Sequence, residues 1–280
     1  MRKTSDETCL LCGGADARVV CTYPEFTWVR CSCGLIFKRD ESEGAFEYDE
    51  DYFVNREHSR TSYSAREGRR VRKSRSQILD VLNHVVPGPL LDMGCSLGYT
   101  LQAASDLGLE ATGVDISEHA VTFCRERGFR AELGTIHALP FPDAAFQLVI
   151  VKHVLEHTAK PREALREIAR VLKPGGGLFL AVPHGGYFKA RVNPTASRHF
   201  RPEVHGTEHF VYYTPATLAR LLREESFDPV ATAHPQLVHR RAGVVRKAAE
   251  LAIAPLRFVA QRARTLASLD KEFWVTAVRL

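Results

Sequence analysis

Between Pro89 and Pro183, short apolar runs alternate with segments whose apolar residues recur every three to four positions. The runs at 89–93, 110–115, 129–133, 146–152 and 177–183 read as buried strands, and the periodic segments near 99–108, 117–127 and 161–172 as helices between them. That order predicts an α/β fold, a mainly parallel sheet covered on both faces. Ser117 suits the cap of the helix Glu118–Arg127. The helix Pro161–Leu172 opens on proline and stops at Lys173-Pro174-Gly175-Gly176. Upstream, Ala65–Val86 reads as a charged helix with Val71, Ile78, Leu82 and Val85 on its core face. Downstream, Pro215–Glu225 turns Leu218, Leu221 and Leu222 inward, and Lys271–Leu280 alternates as a strand does.

The stretch Leu90–Thr100, LLDMGCSLGYT, carries the first chemistry. It reads as strand, tight turn and helix. Gly94 and Gly98 have no Cβ, so the backbone can take positive φ and a ligand can approach the peptide groups. About twenty residues on, the run Glu110–Asp115 ends in an acid, the position from which nucleotide-binding α/β folds hold ribose hydroxyls.

A chain of 280 residues, 45% hydrophobic and 25% charged, is long enough for one large core and a small extra module. The first residues lack the apolar core of a signal peptide, and no run approaches the roughly 20 apolar residues that span a bilayer. A cytoplasmic location with reduced thiols is expected. The net charge of +5 does not by itself argue for nucleic acid. Four of the seven cysteines form Cys9-x-x-Cys12 and Cys31-x-Cys33, each pair followed by glycine. Four thiolates at that spacing suit a tetrahedral structural zinc ion, with Cys21 a stand-in because the second pair is one residue short. Arg18–Thr22 and Thr27–Arg30 read as a two-stranded ribbon between them. The expected division is a zinc-ribbon-like module at 1–40, an acidic linker and basic helical cap at 41–87, and the main domain at 88–280. Residues 40–51 hold seven acids and no base, and 56–75 hold eight Lys or Arg. The basic run is a solvated helix face, or else Tyr63, Arg66, Arg69 and Arg70 overhang the cleft and attract an anion.

Four segments in order, LLDMGCSLGYT, VDIS, HALPFPDAAFQLVIVKHVLEH and REALREIARVLKPGGGLFLAVP, resemble the class I S-adenosylmethionine-dependent methyltransferases of the type 11/23 group. The resemblance covers about residues 88–183 and weakly EHFVYYTPATLARLLREESF. It implies a Rossmann-like, seven-stranded, doubly wound sheet whose last strand is antiparallel, for which Lys271–Leu280 is available. It also implies S-adenosyl-L-methionine as cofactor. Asp92, Gly94, Ser96 and Gly98 would line its methionine and ribose portions, with Ser96 in place of the usual middle glycine. Asp115 would take the ribose and Ile116 would pack on the adenine. Thr135 stands where an acid often meets the adenine amino group, and Thr135 or Ile136 would contact the ring. Leu139-Pro140-Phe141 resembles the loop that closes over it. Lys152 and His153 would end the fourth strand, beside cofactor and acceptor.

Methyl transfer from a sulfonium needs alignment and dryness, and a base only when the acceptor is a hydroxyl. His153, His157 and His209 are the candidate bases, with His205 a competitor. The His153-x-x-Glu156-His157 spacing also resembles the ExxEH of ubiquinone-biosynthesis O-methyltransferases, where a divalent ion can be held. The long segment 184–214, rich in His and Tyr, is the expected acceptor wall. Residues 240–269 carry seven Lys or Arg and one acid, Glu250, and read as a helix kinked at Pro255 that packs on the domain or a second subunit, or else touches an anionic membrane. The function expected is O-methylation of a small molecule such as a sugar or secondary metabolite, free or lipid-linked, by a monomer or homodimer. The alternatives are an rRNA base methyltransferase and a non-catalytic cofactor-binding module.

Overall fold

The computed structural model describes residues 8–39, 67–187, 193–195, 200, 209–233 and 272–280. Tyr63, Arg66, His205 and the expected helix at 240–269 lie outside the described residues.

Strands β1 (Ala17–Thr22), β2 (Thr27–Cys31) and β3 (Ile36–Arg39) form an antiparallel meander near the start of the chain. Helix α1 (Glu67–Leu82) leads into β4 (Leu90–Met93), α2 (Tyr99–Ser105), β5 (Ala111–Asp115), α3 (Glu118–Glu126) and β6 (Arg130–Leu133). Then come β7 (Phe146–Lys152), a 3-10 turn at Leu155–His157, α4 (Pro161–Val171), β8 (Leu172–Pro183), β9 (Val211–Tyr212), α5 (Pro215–Glu224), β10 (Phe227–Ala233) and β11 (Glu272–Arg279). The large sheet has the order β10-β11-β8-β7-β4-β5-β6. The five neighbouring strands β8-β7-β4-β5-β6 are parallel, while β11 runs antiparallel to both β8 and β10. The expected doubly wound, seven-stranded sheet with an antiparallel closing strand is therefore present.

The order reverses between β4 and β7, so their connections leave in opposite directions and open a crevice at the strands' carboxyl ends. Helices α1 and α2 cover one face through Ile78, Val81, Ala103 and Ala104, which meet Leu148, Ile150, Phe179 and Trp274. On the other face, Leu165, Ile168, Leu218 and Leu222 of α4 and α5 pack on Leu91, Val149, Leu178 and Val275. Burial on both faces is why these strands read as continuous apolar runs rather than as alternation.

Local signals hold closely. Ser117 caps α3 by accepting a bond from the Ala120 N–H, and Thr214 with Thr217 forms a capping box ahead of α5. Helix α4 ends at Val171 and passes directly into β8, so Lys173-Pro174-Gly175-Gly176 lies inside the strand as a register irregularity rather than as a loop. Strand β10 interrupts its own apolar pattern with Asp228 and Pro229. It survives because an edge strand can spare the amide that proline lacks, and its register shifts between Pro229 and Ala231.

The N-terminal meander gains a fourth strand from far along the chain. Ile36 pairs with Tyr212 and Phe37 with Val211, making a sheet of order β1-β2-β3-β9. Leu11, Val29, Leu35 and Phe37 share one apolar cluster with the main sheet. Arg162 of α4 ties the cysteine turn to this body, donating to the Leu11 carbonyl while pairing with Glu224 and Glu225.

Candidate active site

The loop after β4 gathers three positive-φ residues, Gly94 at 71°, Ser96 at 49° and Gly98 at 75°. The reason for glycine at 94 and 98 is tighter than ligand access. A Cβ on Gly94 would stand 2.5 Å from Val154 Cγ2, and one on Gly98 would stand 3.1 Å from Cys124 Sγ. Both absences are filled by the protein's own side chains. Ser96 carries the strain that glycine would avoid, and its carbonyl accepts the Cys124 thiol at 3.2 Å.

Asp115, at the end of β5, closes this loop. Its carboxylate accepts the Ser96 N–H at 2.9 Å and the Ser117 N–H at 3.0 Å. Burial raises its pKa, with these amide bonds acting against the rise. Each oxygen keeps a further lone pair, the requirement for ribose hydroxyls. Beside it Ile116 leaves 51% of its surface open, an apolar platform at the strand end. Thr135 is exposed and bridges to Ala138, while Ile136 leans on the core. The Leu139-Pro140-Phe141 loop is pinned from α4. Glu167 accepts the Leu139 N–H, and Arg170 donates to the carbonyls of Leu139 and Phe141.

Asp92 and Lys152 end β4 and β7 on the side covered by α1 and α2. Asp92 is buried, its Oδ1 meets no partner, and burial raises its pKa to about 6 against the opposing charge of Lys152. Burial lowers the pKa of Lys152, and Asp92 resists that change. The ammonium donates to Ser74 Oγ at 3.0 Å and to Thr100 Oγ1. A buried carboxylate oxygen with an open lone pair, beside an ammonium, fits the zwitterionic tail and polar sugar of an adenosylated amino acid. Ser74 carries no motif in the sequence, and Thr100 only closes the stretch Leu90–Thr100 with no role assigned to it. Only the packing of α1 on α2 brings them to the lysine.

His153 follows directly, at a positive φ of 55°. Its Nδ1 faces Glu156 Oε1 at 3.2 Å and its Nε2 faces Glu272 Oε2 at 3.0 Å. Burial would lower its pKa, but the two carboxylates outweigh burial and raise it to about 9, so the ring is an imidazolium at neutral pH. Glu272 in turn falls to about 2. Burial acts against that fall, while His153 and Lys73 produce it.

His157 and His209 meet edge to face with ring centroids 4.7 Å apart. Each offers a nitrogen within 4.8 Å of the other and of a Glu156 oxygen, so the three could hold a cation. His209 Nδ1 shares a bond with Tyr212 OH at 3.0 Å. Glu156 is fully buried and its Oε2 meets no partner. Thus the structure brings His157 and His209 together and holds His153 apart, between acids.

The four cysteines also converge. Cys9 Sγ lies 3.6 Å from Cys33 Sγ and Cys12 Sγ lies 3.5 Å from Cys31 Sγ, with all four within 4.8 Å of one another. A tetrahedron with Zn–S near 2.3 Å needs sulfurs about 3.8 Å apart, which this cluster approaches. The spacing is too long for disulfides, and the thiols are free. The Leu11 N–H points at Cys9 Sγ. At Cys31 burial is outweighed by the Cys33 amide and the neighbouring thiols, which lower its pKa to about 7. Cys21 stands elsewhere, in the aromatic cluster of Phe26 and Trp28, so it is not a fifth candidate.

Comparison with known proteins fits this geometry. Residues 91–180 match the methyltransferase domain family. An uncharacterized methyltransferase of Bacillus subtilis is 38% identical over 102 residues, covering 34% of this chain and 40% of that protein. A ubiquinone biosynthesis O-methyltransferase of Bordetella avium is 26% identical over 151 residues, covering 50% of this chain and 62% of that one. The chain thus spans less than two thirds of these curated relatives. A solved S-adenosylmethionine-dependent methyltransferase from Archaeoglobus fulgidus superposes with a TM-score of 0.57 at 19% identity, covering 83% of this chain and all of that one, which speaks to the fold. Together the matches support a class I methyltransferase domain. Among the described residues no helix is long and apolar enough to cross a membrane.

Proposed function

We propose that this protein is an S-adenosylmethionine-dependent O-methyltransferase of a small, hydroxyl-bearing molecule such as a sugar or secondary metabolite. The observation that carries the reading is the pair of acids at the ends of adjacent strands, Asp92 with an open buried oxygen and Asp115 bonded across the Gly94–Gly98 loop. When bound, the cofactor supplies an electrophilic methyl on sulfur. Asp115 takes the ribose, Ile116 underlies the adenine with Thr135 and Ile136 at its rim, and Asp92 with Lys152 receives the amino-acid tail. His157 and His209 are the preferred proton acceptors, because His153 holds its proton between two carboxylates. A positioned imidazole contributes roughly 100- to 10,000-fold to such a proton transfer.

Calorimetry with S-adenosylmethionine and S-adenosylhomocysteine, with NAD as control, tests the cofactor. Heat from NAD alone would end the reading. Given binding, turnover with a panel of hydroxyl acceptors should fall about 100-fold or more in His157→Ala or His209→Ala, at unchanged cofactor affinity. A salt-sensitive shift of RNA in a gel would instead favour the rRNA alternative. Tight cofactor binding without turnover would favour the non-catalytic one.

The four cysteines are read as a structural zinc site, supported by their sulfur spacing. Metal analysis of purified protein should give one zinc per chain, and Cys31→Ser should lose it. A second cation at Glu156, His157 and His209 is the alternative to the base pair, favoured by the unpartnered Glu156 Oε2. Activity that needs added Mg²⁺ or Mn²⁺, abolished in Glu156→Gln, would select it.

A further inference from the structure

The N-terminal cysteine module reads from sequence as an appendage, but its contacts run to the histidine cluster. Phe210 bridges the two with its own peptide groups. Its N–H donates to the Glu156 carbonyl at 2.8 Å, in the turn that carries His157, and its carbonyl accepts the Lys38 N–H at 3.0 Å, at the end of β3. Pairing continues through Phe37–Val211 and Ile36–Tyr212. The side chains repeat the link. Tyr212 is fully buried with its ring centroid 4.9 Å from that of Trp28, a residue of β2, and its hydroxyl meets His209 Nδ1 at 3.0 Å. Trp28 is fixed in turn by its Nε1–H donating to the Phe200 carbonyl at 3.3 Å. β2 ends at Cys31, and the Cys31 N–H closes on the Leu35 carbonyl at the head of β3.

We propose that the cysteine module is the mount of the histidine cluster, with Tyr212, seated on Trp28, as the positioning residue that orients the His209 ring. In the tautomer whose Nδ1–H donates to the Tyr212 hydroxyl oxygen, a proton taken up from an acceptor goes to Nε2. The ring also packs edge to face with both His157 and Tyr212, with centroids 4.7 Å and 5.3 Å away, contacts that restrict its rotation. A shift of β2 or β3 on loss of the metal therefore moves Tyr212, and with it His209. Among the charged and titratable groups, His157, Glu156 and Tyr212 face His209 here. This inference rests on the reading of His209 as part of the acceptor site and of the cysteines as a zinc site.

The test is nitrogen-15 NMR of the histidine rings in the full chain, with His209 assigned by the loss of its signals in His209→Gln. Tyr212→Phe keeps the seated ring and removes only the hydroxyl. It should move the His209 ring nitrogen shifts, at unchanged affinity for S-adenosylhomocysteine. Trp28→Ala should shift the same signals, and Trp28→Phe should largely restore them. Removal of zinc by a chelator should shift them too. Unchanged His209 signals in folded Tyr212→Phe would overturn the orienting role, and a shift in Tyr212→Phe without one on zinc removal would overturn the mount. Should the purified protein hold no metal, the zinc reading alone fails, and Trp28→Ala still decides between module and no module. Should Trp28→Ala not fold, Tyr212→Phe and zinc removal carry the decision.

Discussion

His153 Nε2 and Glu272 Oε2 lie 3.0 Å apart, joining the end of β7 to the first residue of the closing strand. The two are distant in sequence and meet because β8 is the one strand between β7 and β11. With Glu156 on its other nitrogen, His153 serves as a charged rivet at the mouth of the crevice.

This rivet sets a pH window. A histidine raised from an ordinary 6.5 to about 9 contributes stability that is fully present below about 6.5 and is lost as pH rises through about 9. Glu272, lowered from 4.5 to about 2, contributes above about 4.5 and loses that contribution as pH falls through about 2. The melting temperature of the native protein should therefore exceed that of Glu272→Gln most between about pH 5 and 6, and the gap should narrow above about 9 to the share of the Lys73 pair. His153 is 44% exposed, so the gap should also shrink in high salt. A gap independent of pH would show that Glu272 acts by packing alone.

Gly94→Ala should destabilise the fold by about 2–4 kcal/mol, because the new methyl both strains a φ of 71° and enters the space of Val154 Cγ2. Val154→Ala in the same chain should recover the steric part and leave about 1–2 kcal/mol of backbone strain. Urea unfolding of the single and double variants measures both. Equal losses in the two would remove Val154 from the account.

Asp115→Asn keeps an acceptor for one loop amide and loses the charge. S-adenosylhomocysteine should bind about 10- to 100-fold more weakly, the range for lost hydrogen bonds to a charged group, while the unfolding transition shifts far less. Calorimetry and thermal unfolding on one preparation separate the effects. Unchanged affinity would place the ribose elsewhere.

Arg162 joins α4, α5 and the cysteine turn through Glu224, the buried Glu225 and the Leu11 carbonyl. Arg162→Ala leaves Glu225 to Arg166 alone and should cost about 1–3 kcal/mol. It should also speed zinc release to a chromogenic chelator. Stability within error of the native protein would reduce the network to surface pairing.

Much of this was legible in order along the chain. The strands from 89 to 183 are apolar throughout because both faces of a parallel sheet are covered, and that composition is visible without coordinates. The cap at Ser117 and the glycines at 94 and 98 are local demands of backbone geometry, so sequence carries them. The cysteine spacing announces a cluster for the same reason, since two short turns bring each pair together.

What the amino-acid sequence determined by itself was the doubly wound sheet, the bend between Asp92 and Asp115, and the set of histidines from which the cluster around Glu156 draws. Tertiary structure alone decided which of those histidines meet, that Ser74 and Thr100 hold Lys152, that Glu272 holds His153, and that β9 completes the cysteine-bearing sheet. The physical reason is reach. Capping, turn geometry and burial periodicity act over a few residues, whereas a bond between side chains on elements far apart exists only once strand order and helix packing have fixed their separation.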